Sequence, residues 1–140
     1  MTDIAGLIER LEAATGPDRE LDAAIVAHFN NASVRRYPPQ TDFGPGARWQ
    51  FWSRDGAHFL GSESKFPVPP LTASLDAALA LVERVRPGAW IEMSGPRKYL
   101  NIPAPVPNRW RVEVDERIGW GSTLAIALLI ALLRTLETEQ

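Results

Sequence analysis

The residues best equipped for chemistry in this chain are arginines set beside aromatic rings. Trp52 lies near Arg54, Arg97 near Tyr99, and Arg109 beside Trp110. A guanidinium next to a π-face offers what a nucleobase carrying a phosphate requires: a stacking surface, and a planar fork that grips an anion with paired hydrogen bonds. A further candidate is Gly119-Trp120-Gly121-Ser122-Thr123, which precedes the most apolar run of the chain. Free N–H groups at a helix N-terminus, with the Ser122 and Thr123 hydroxyls, would receive an anion there, and Trp120 would lie beside a base or ribose. The plainer reading of these hydroxyls is an ordinary helix cap. Trp52 likewise has the alternative of packing across strands. Trp, Tyr and Arg also dominate protein–protein hot spots, so composition leaves ligand and protein partner both open.

Charge is distributed unevenly around these candidates. Thirteen of the fifteen basic residues are Arg, against a formal net charge of −2. Arg84, Arg86, Arg97, Lys98, Arg109 and Arg111 face Glu92 alone between residues 84 and 111, whereas residues 1 to 30 hold six acids against Arg10 and Arg19. A solvated basic rim is the plain account of the first segment. Duplex DNA would need a larger surplus and a recognition helix, so no duplex nucleic acid is expected.

Other chemistries find little support. The chain has no Cys, which removes disulfides, thiolate metal sites and Cys nucleophiles. Its two His have no second His or carboxylate at ligand spacing on a helix, which argues against zinc. Ser53, Asp55 and His58 share one turn sequence, and adjacency along a hairpin is not triad geometry. Neither a Walker A sequence nor a Rossmann glycine pattern occurs. Glu92, Glu113, Asp115 and Glu116 could pair as acid and base or hold a divalent cation, but outward strand carboxylates beside Arg111 and Arg117 are ordinarily just solvated. No catalytic residue, metal or cofactor is expected.

The elements that must position the candidates form one domain of 140 residues. Residues 1–30 read as two helices. Asp3 caps a stripe of Ile4, Leu7, Ile8 and Leu11; after Gly16, Pro17 or Asp18 opens a second helix through Phe29 with Leu21, Ala24 and Ile25 inward. His28 falls beside that stripe as a hydrogen-bonded core residue. Residues 31–70 are rich in Pro, Gly and aromatics and read as loops and a hairpin, with Arg48 to Arg54 pairing to His58 to Gly61 across Asp55-Gly56. In residues 71–140, Thr72 or Ser74 caps a helix bearing Leu75, Ala78, Leu79, Val82 and Val85. Strands follow at Trp90 to Ser94, with Ile91 and Met93 inward, and around Tyr99 to Ile102. The last strand, Arg109 to Asp115, turns Trp110, Val112 and Val114 inward. Gly121 to Leu136 closes the chain as a helix apolar on every side. Its run is too short to span a bilayer, so it is expected inside protein, with no membrane partner. So small a domain has little interior in which to surround a helix, which suggests that a second copy covers one flank. The N-terminus, MTDIAGLIERLE, does not read as a signal peptide. The expected class is α+β: an antiparallel sheet of about four to five strands covered by four helices in α-β-α layers.

Three segments together, LIERLEAATGPDRELDAAI, LTASLDAALALVERVRPGAW and WGSTLAIALLIALLR, resemble the phage ABA sandwich domain family of small phage and prophage proteins. The resemblance implies helices covering a sheet and a phage or prophage origin; with no Cys to call for an oxidising compartment, the expected setting is the cytoplasm of the bacterial host. It brings no catalytic residues. By analogy with other small phage proteins, the expected function is non-enzymatic sequestration of an anionic nucleotide-like immune signal by a homo-oligomer. The ligand-binding residues expected for it are Trp52, Arg54, Arg97, Tyr99, Arg109, Trp120, Ser122 and Thr123. The alternatives are a phage structural or interaction protein without a small ligand and, more remotely, a hydrolase of such signals.

Overall fold

A computed structural model describes residues 3–36, 49–95 and 109–137. Local sequence code sets most of its helices. In α1 (Ile4–Ala13), Asp3 accepts the Gly6 N–H and the apolar stripe Ile4, Leu7, Ile8 and Leu11 is buried. In α2 (Arg19–Phe29), the Asp18 carboxylate accepts the N–H groups of Glu20 and Leu21. Ser74, rather than Thr72, caps α3 (Leu75–Val85) by accepting the Ala77 N–H. Thr72 is instead buried against α2.

Six strands lie among the described residues, in two antiparallel sheets of three instead of the single expected sheet. The first joins β1 (Ala32–Arg36), β2 (Trp49–Ser53) and β3 (Phe59–Ser62) in that order. The second joins β4 (Ile91–Ser94), β5 (Trp110–Val114) and β6 (Arg117–Gly121). The α+β class and the very apolar C-terminal helix stand; the strand expected around Tyr99 to Ile102 lies outside the described residues.

Arg109 to Asp115 is not the last strand. Asp115 and Glu116 both adopt positive φ, 46° and 72°, and reverse the chain in two residues, so that Val114 pairs with Arg117 and β6 runs back along β5. Such a turn normally advertises itself through Asn-Gly or Asp-Gly, which is absent here. β6 carries Gly at alternate positions because a helix lies directly on it. A Cβ on Gly119 would sit 2.4 Å from the Ala127 carbonyl oxygen, and one on Gly121 would sit 2.6 Å from the Ala127 nitrogen. Backbone approaches backbone at these two points, which only Gly permits.

That helix, α4 (Leu124–Glu137), is the centre of the molecule. Every residue from Ala125 to Leu133 is buried. It packs on β5 and β6, while α1 and α3 pack against it in turn. One chain therefore surrounds α4, and its apolar circumference gives no reason to invoke a second copy. Met93, expected inward, is 37% exposed: β4 is an edge strand, and α4 covers β5 and β6. No helix among the described residues is long and apolar enough to cross a membrane.

Candidate functional site

Among the described residues, those expected to bind a ligand do not converge. Arg97 and Tyr99 lie outside the described residues. Trp52 belongs to the first sheet, where its register partner Phe59 meets it edge-on at 5.5 Å and the Arg35 guanidinium lies 4.3 Å from its ring centre. Arg54, in the following turn, donates to Asn31 Oδ1 at 3.0 Å. Trp120 lies opposite Arg111 in the second sheet.

The remaining three residues are engaged inside the fold. Arg109 donates to the Glu12 carbonyl at 3.1 Å, and the Ser122 hydroxyl donates to the Ala14 carbonyl at 3.0 Å. Both thereby satisfy oxygens at the C-terminal end of α1, where a helix lacks its own donors and where positive charge is favourable. Thr123 Oγ1 accepts the Ile126 N–H at 3.2 Å and caps α4. The glycines beside them serve helix–strand packing. The cradle at the start of α4 is thus occupied by the protein's own hydrogen bonds.

A different place offers a cavity. Between α2, α3 and the 65–71 loop lies a cleft of about 270 Å³. Ile25, Val26 and Phe29 of α2 form one wall, Ala77, Ala80 and Leu81 of α3 another, and Phe66, Pro67, Pro69 and Leu71 the third. Lys65, Arg84 and Asn30 are its polar residues, and no carboxylate lines it. Among the described residues neither Lys65 nor Arg84 makes an ion pair. The Lys65 ammonium lies 5.6 Å from the centre of the Phe66 ring.

The loop wall is held by a buried polar clip. Asp22 is fully buried, and its Oδ1 accepts the Thr72 N–H and hydroxyl, each at 2.8 Å. Its Oδ2 accepts from Arg19 Nη1 at 2.8 Å, while Arg19 Nη2 donates to the Val68 carbonyl at 2.8 Å. The Asp18 N–H closes the network by donating to Thr72 Oγ1 at 2.7 Å. A charge this deep persists only when paired and hydrogen-bonded; the Arg19–Asp22 pair lies within α2, and the bonds to Thr72 and Val68 tie the start of that helix to the loop.

No family model, curated protein or solved structure matches the chain. Its chemistry therefore rests on this geometry. Ser53, Asp55 and His58 form a turn: the Ser53 hydroxyl donates to Asp55 at 2.5 Å and accepts the His58 N–H at 3.0 Å. The Ser53 hydroxyl, then the Ala57 N–H, hold the Asp55 carboxyl below its ordinary range. Asp115 is likewise lowered, first by the Trp90 N–H and then by Arg86. Among the described residues no group of three His, Asp or Glu is placed to hold a metal ion. His28, expected to be hydrogen-bonded, has a buried Nδ1 without a partner among the described residues. Burial, followed by the positive charge of Arg54, lowers its pKa, and Asp3 opposes the shift. What the cleft can do is enclose an apolar or aromatic body and hold an anionic group at its cationic rim.

Proposed function

We propose that this protein is a non-enzymatic binding protein that captures a small anion with a flat apolar body, of the nucleotide-like class, in the cleft between α2 and α3. The observation that carries the reading is one cavity with apolar walls, two phenyl rings and two cations, in which, among the described residues, neither cation makes an ion pair and no carboxylate lines the wall. Phe29 and Phe66 supply faces for a base; Lys65 and Arg84 supply charge for a phosphate. At about 270 Å³ the cleft lies just below the usual range for small-molecule sites, roughly 300–1,000 Å³. That size fits a mononucleotide, or one base of a larger signal, better than a whole dinucleotide. The resemblance to the phage ABA sandwich family supports a phage setting, in which sequestering a host immune nucleotide in the bacterial cytoplasm would be the use of such binding.

Calorimetric titration with mononucleotides, cyclic dinucleotides and ADP-ribose tests this reading. At least one member should bind, and the double variant Lys65→Ala, Arg84→Ala should lose most of the affinity while remaining folded. Absence of heat with every member, from protein shown to be folded, would end the proposal.

One observation favours a second reading. Trp90 is 66% exposed and Met93 37% exposed, at and beside edge strand β4, as in a surface that meets another protein. A stoichiometric protein partner that is lost on Trp90→Ala, with no small ligand bound, would favour a phage interaction protein instead.

A further inference from the structure

The first sheet has two faces of opposite character. Phe51 points inward, fully buried, and packs on Phe66 with ring centres 5.1 Å apart. Trp52, its neighbour, points the other way and shares that side with its cross-strand partners Ser33 and Phe59. Phe59 is 52% exposed, among the largest apolar exposures of the described residues. Burial does not explain that ring, and its edge-on contact with Trp52 fixes it in place.

The outer face also carries charge. Arg35 lies over the Trp52 ring at 4.3 Å and is held there by donating to the Gly56 carbonyl at 3.1 Å. One side of its guanidinium plane is thus spent on the indole, which leaves the other for a further planar group. Gln50, the register partner of Arg35, uses its side-chain carbonyl to accept the Trp52 Nε1–H at 2.9 Å, and among the described residues its side-chain N–H groups make no hydrogen bond. Arg54 and His58 lie at the turn end of the same sheet. The acid beside them, Asp55, is turned back onto Ser53 and the Ala57 N–H.

We propose that this face, Arg35, Trp52 and Phe59 with Gln50 and Arg54 around them, is a stacking platform for single-stranded nucleic acid. One base lies on the exposed Phe59 ring and a neighbour on the outer surface of the Arg35 guanidinium, while Arg54 meets the phosphate backbone. An open sheet face with aromatic and guanidinium planes suits unpaired bases, whose π-faces are free; a duplex hides them. The positive balance of this face favours a polyanion over a neutral protein surface. The platform lies on the opposite side of the sheet from Phe51 and Phe66, so it is independent of the cleft and of the nucleotide-like ligand proposed for it.

Fluorescence anisotropy with the full chain tests the proposal, using labelled oligouridylate and oligothymidylate of about 12 nucleotides in about 20 mM salt. Binding should be seen with at least one strand and weaken as salt rises. Phe59→Ala should lower affinity about tenfold. Arg35→Gln should lower it too, through the lost stacking surface. Both side chains are exposed, so circular dichroism should show both variants folded. Neither variant should change titration of the cleft with mononucleotides. No anisotropy change up to about 100 μM protein, equal affinity for a blunt duplex, or unchanged binding by Phe59→Ala would each overturn the platform. So would light scattering that shows a dimer dissolved by Phe59→Ala, because the face would then be an interface between copies.

Discussion

Replacing Asp22 by Ala should destabilise the protein more than any surface change, and the structure allows the loss to be worked out. The carboxylate accepts three hydrogen bonds of 2.8 Å: from the Thr72 N–H, the Thr72 hydroxyl and Arg19 Nη1. A bond to a charged acceptor contributes about 1.5–3 kcal/mol, and an orphaned buried N–H costs about 1–3 kcal/mol more. Three corrections reduce the total. The bonds share one acceptor group and are not additive; removing the carboxylate also recovers its desolvation penalty. The Arg19 side chain is 39% exposed, so its end of the ion pair is screened. A net loss of about 3 kcal/mol remains, which for a chain of 140 residues lowers the thermal midpoint by about 10 °C. Asp22→Asn keeps an acceptor for Thr72 and should lose about half as much. Urea melts followed by Trp fluorescence and circular dichroism measure both. An Asp22→Ala protein within about 1 kcal/mol of the parent would refute the view that this network clamps the cleft wall to α2.

Two further expectations follow from packing and titration. Gly119→Ala places a methyl 2.4 Å from the Ala127 carbonyl oxygen and 2.6 Å from the Ala131 nitrogen, so α4 must lift off β6. The expected cost is about 3 kcal/mol or more, and a thermal midpoint within about 2 °C of the parent would contradict it. His28 has a folded pKa below its ordinary value of 6.5, so folding favours its neutral form. Its contribution is fully present above 6.5, declines as pH falls and the unfolded chain takes up its proton first, and levels off below the folded value. His28→Gln should flatten that part of the stability curve measured from about pH 8 to 5, and an unchanged slope would show that His28 plays no part.

The helices were legible because their signals are local. Asp3, Asp18 and Ser74 announce three starts, and apolar residues at helical spacing announce the buried faces. The hairpin through Asp55-Gly56 was legible for the same reason. β6 was not, because its turn uses Asp115-Glu116 and its glycines answer to a helix that contacts them only in the folded chain. β1 has too few apolar residues to show an alternation. Asp22 reads in sequence as one more acid in an acidic segment; its partner Thr72 is 50 residues away. The cleft is the least legible feature, since Phe29, Phe66 and Arg84 lie on three elements and no spacing links them. Arg109, Ser122 and Thr123 do have the chemistry to hold an anion, but α1 and α4 end beside them, and helix ends compete for the same hydrogen bonds.

The burial of α4 on every side has a consequence for the order of events during synthesis. α4 is the last element made among those described, yet α1, α3, β5 and β6 all pack against it. Until it leaves the ribosome, α1, which carries Leu7 and Leu11, and β5, which carries Val112 and Val114, lack the helix they pack against. The packing of α1 on α4 joins segments more than 100 residues apart and so forms only after α4 is made, whereas the contacts of α2 with β1 and within the first sheet do not involve it. A chain cut before Leu124 would keep its caps and turns and lose its core.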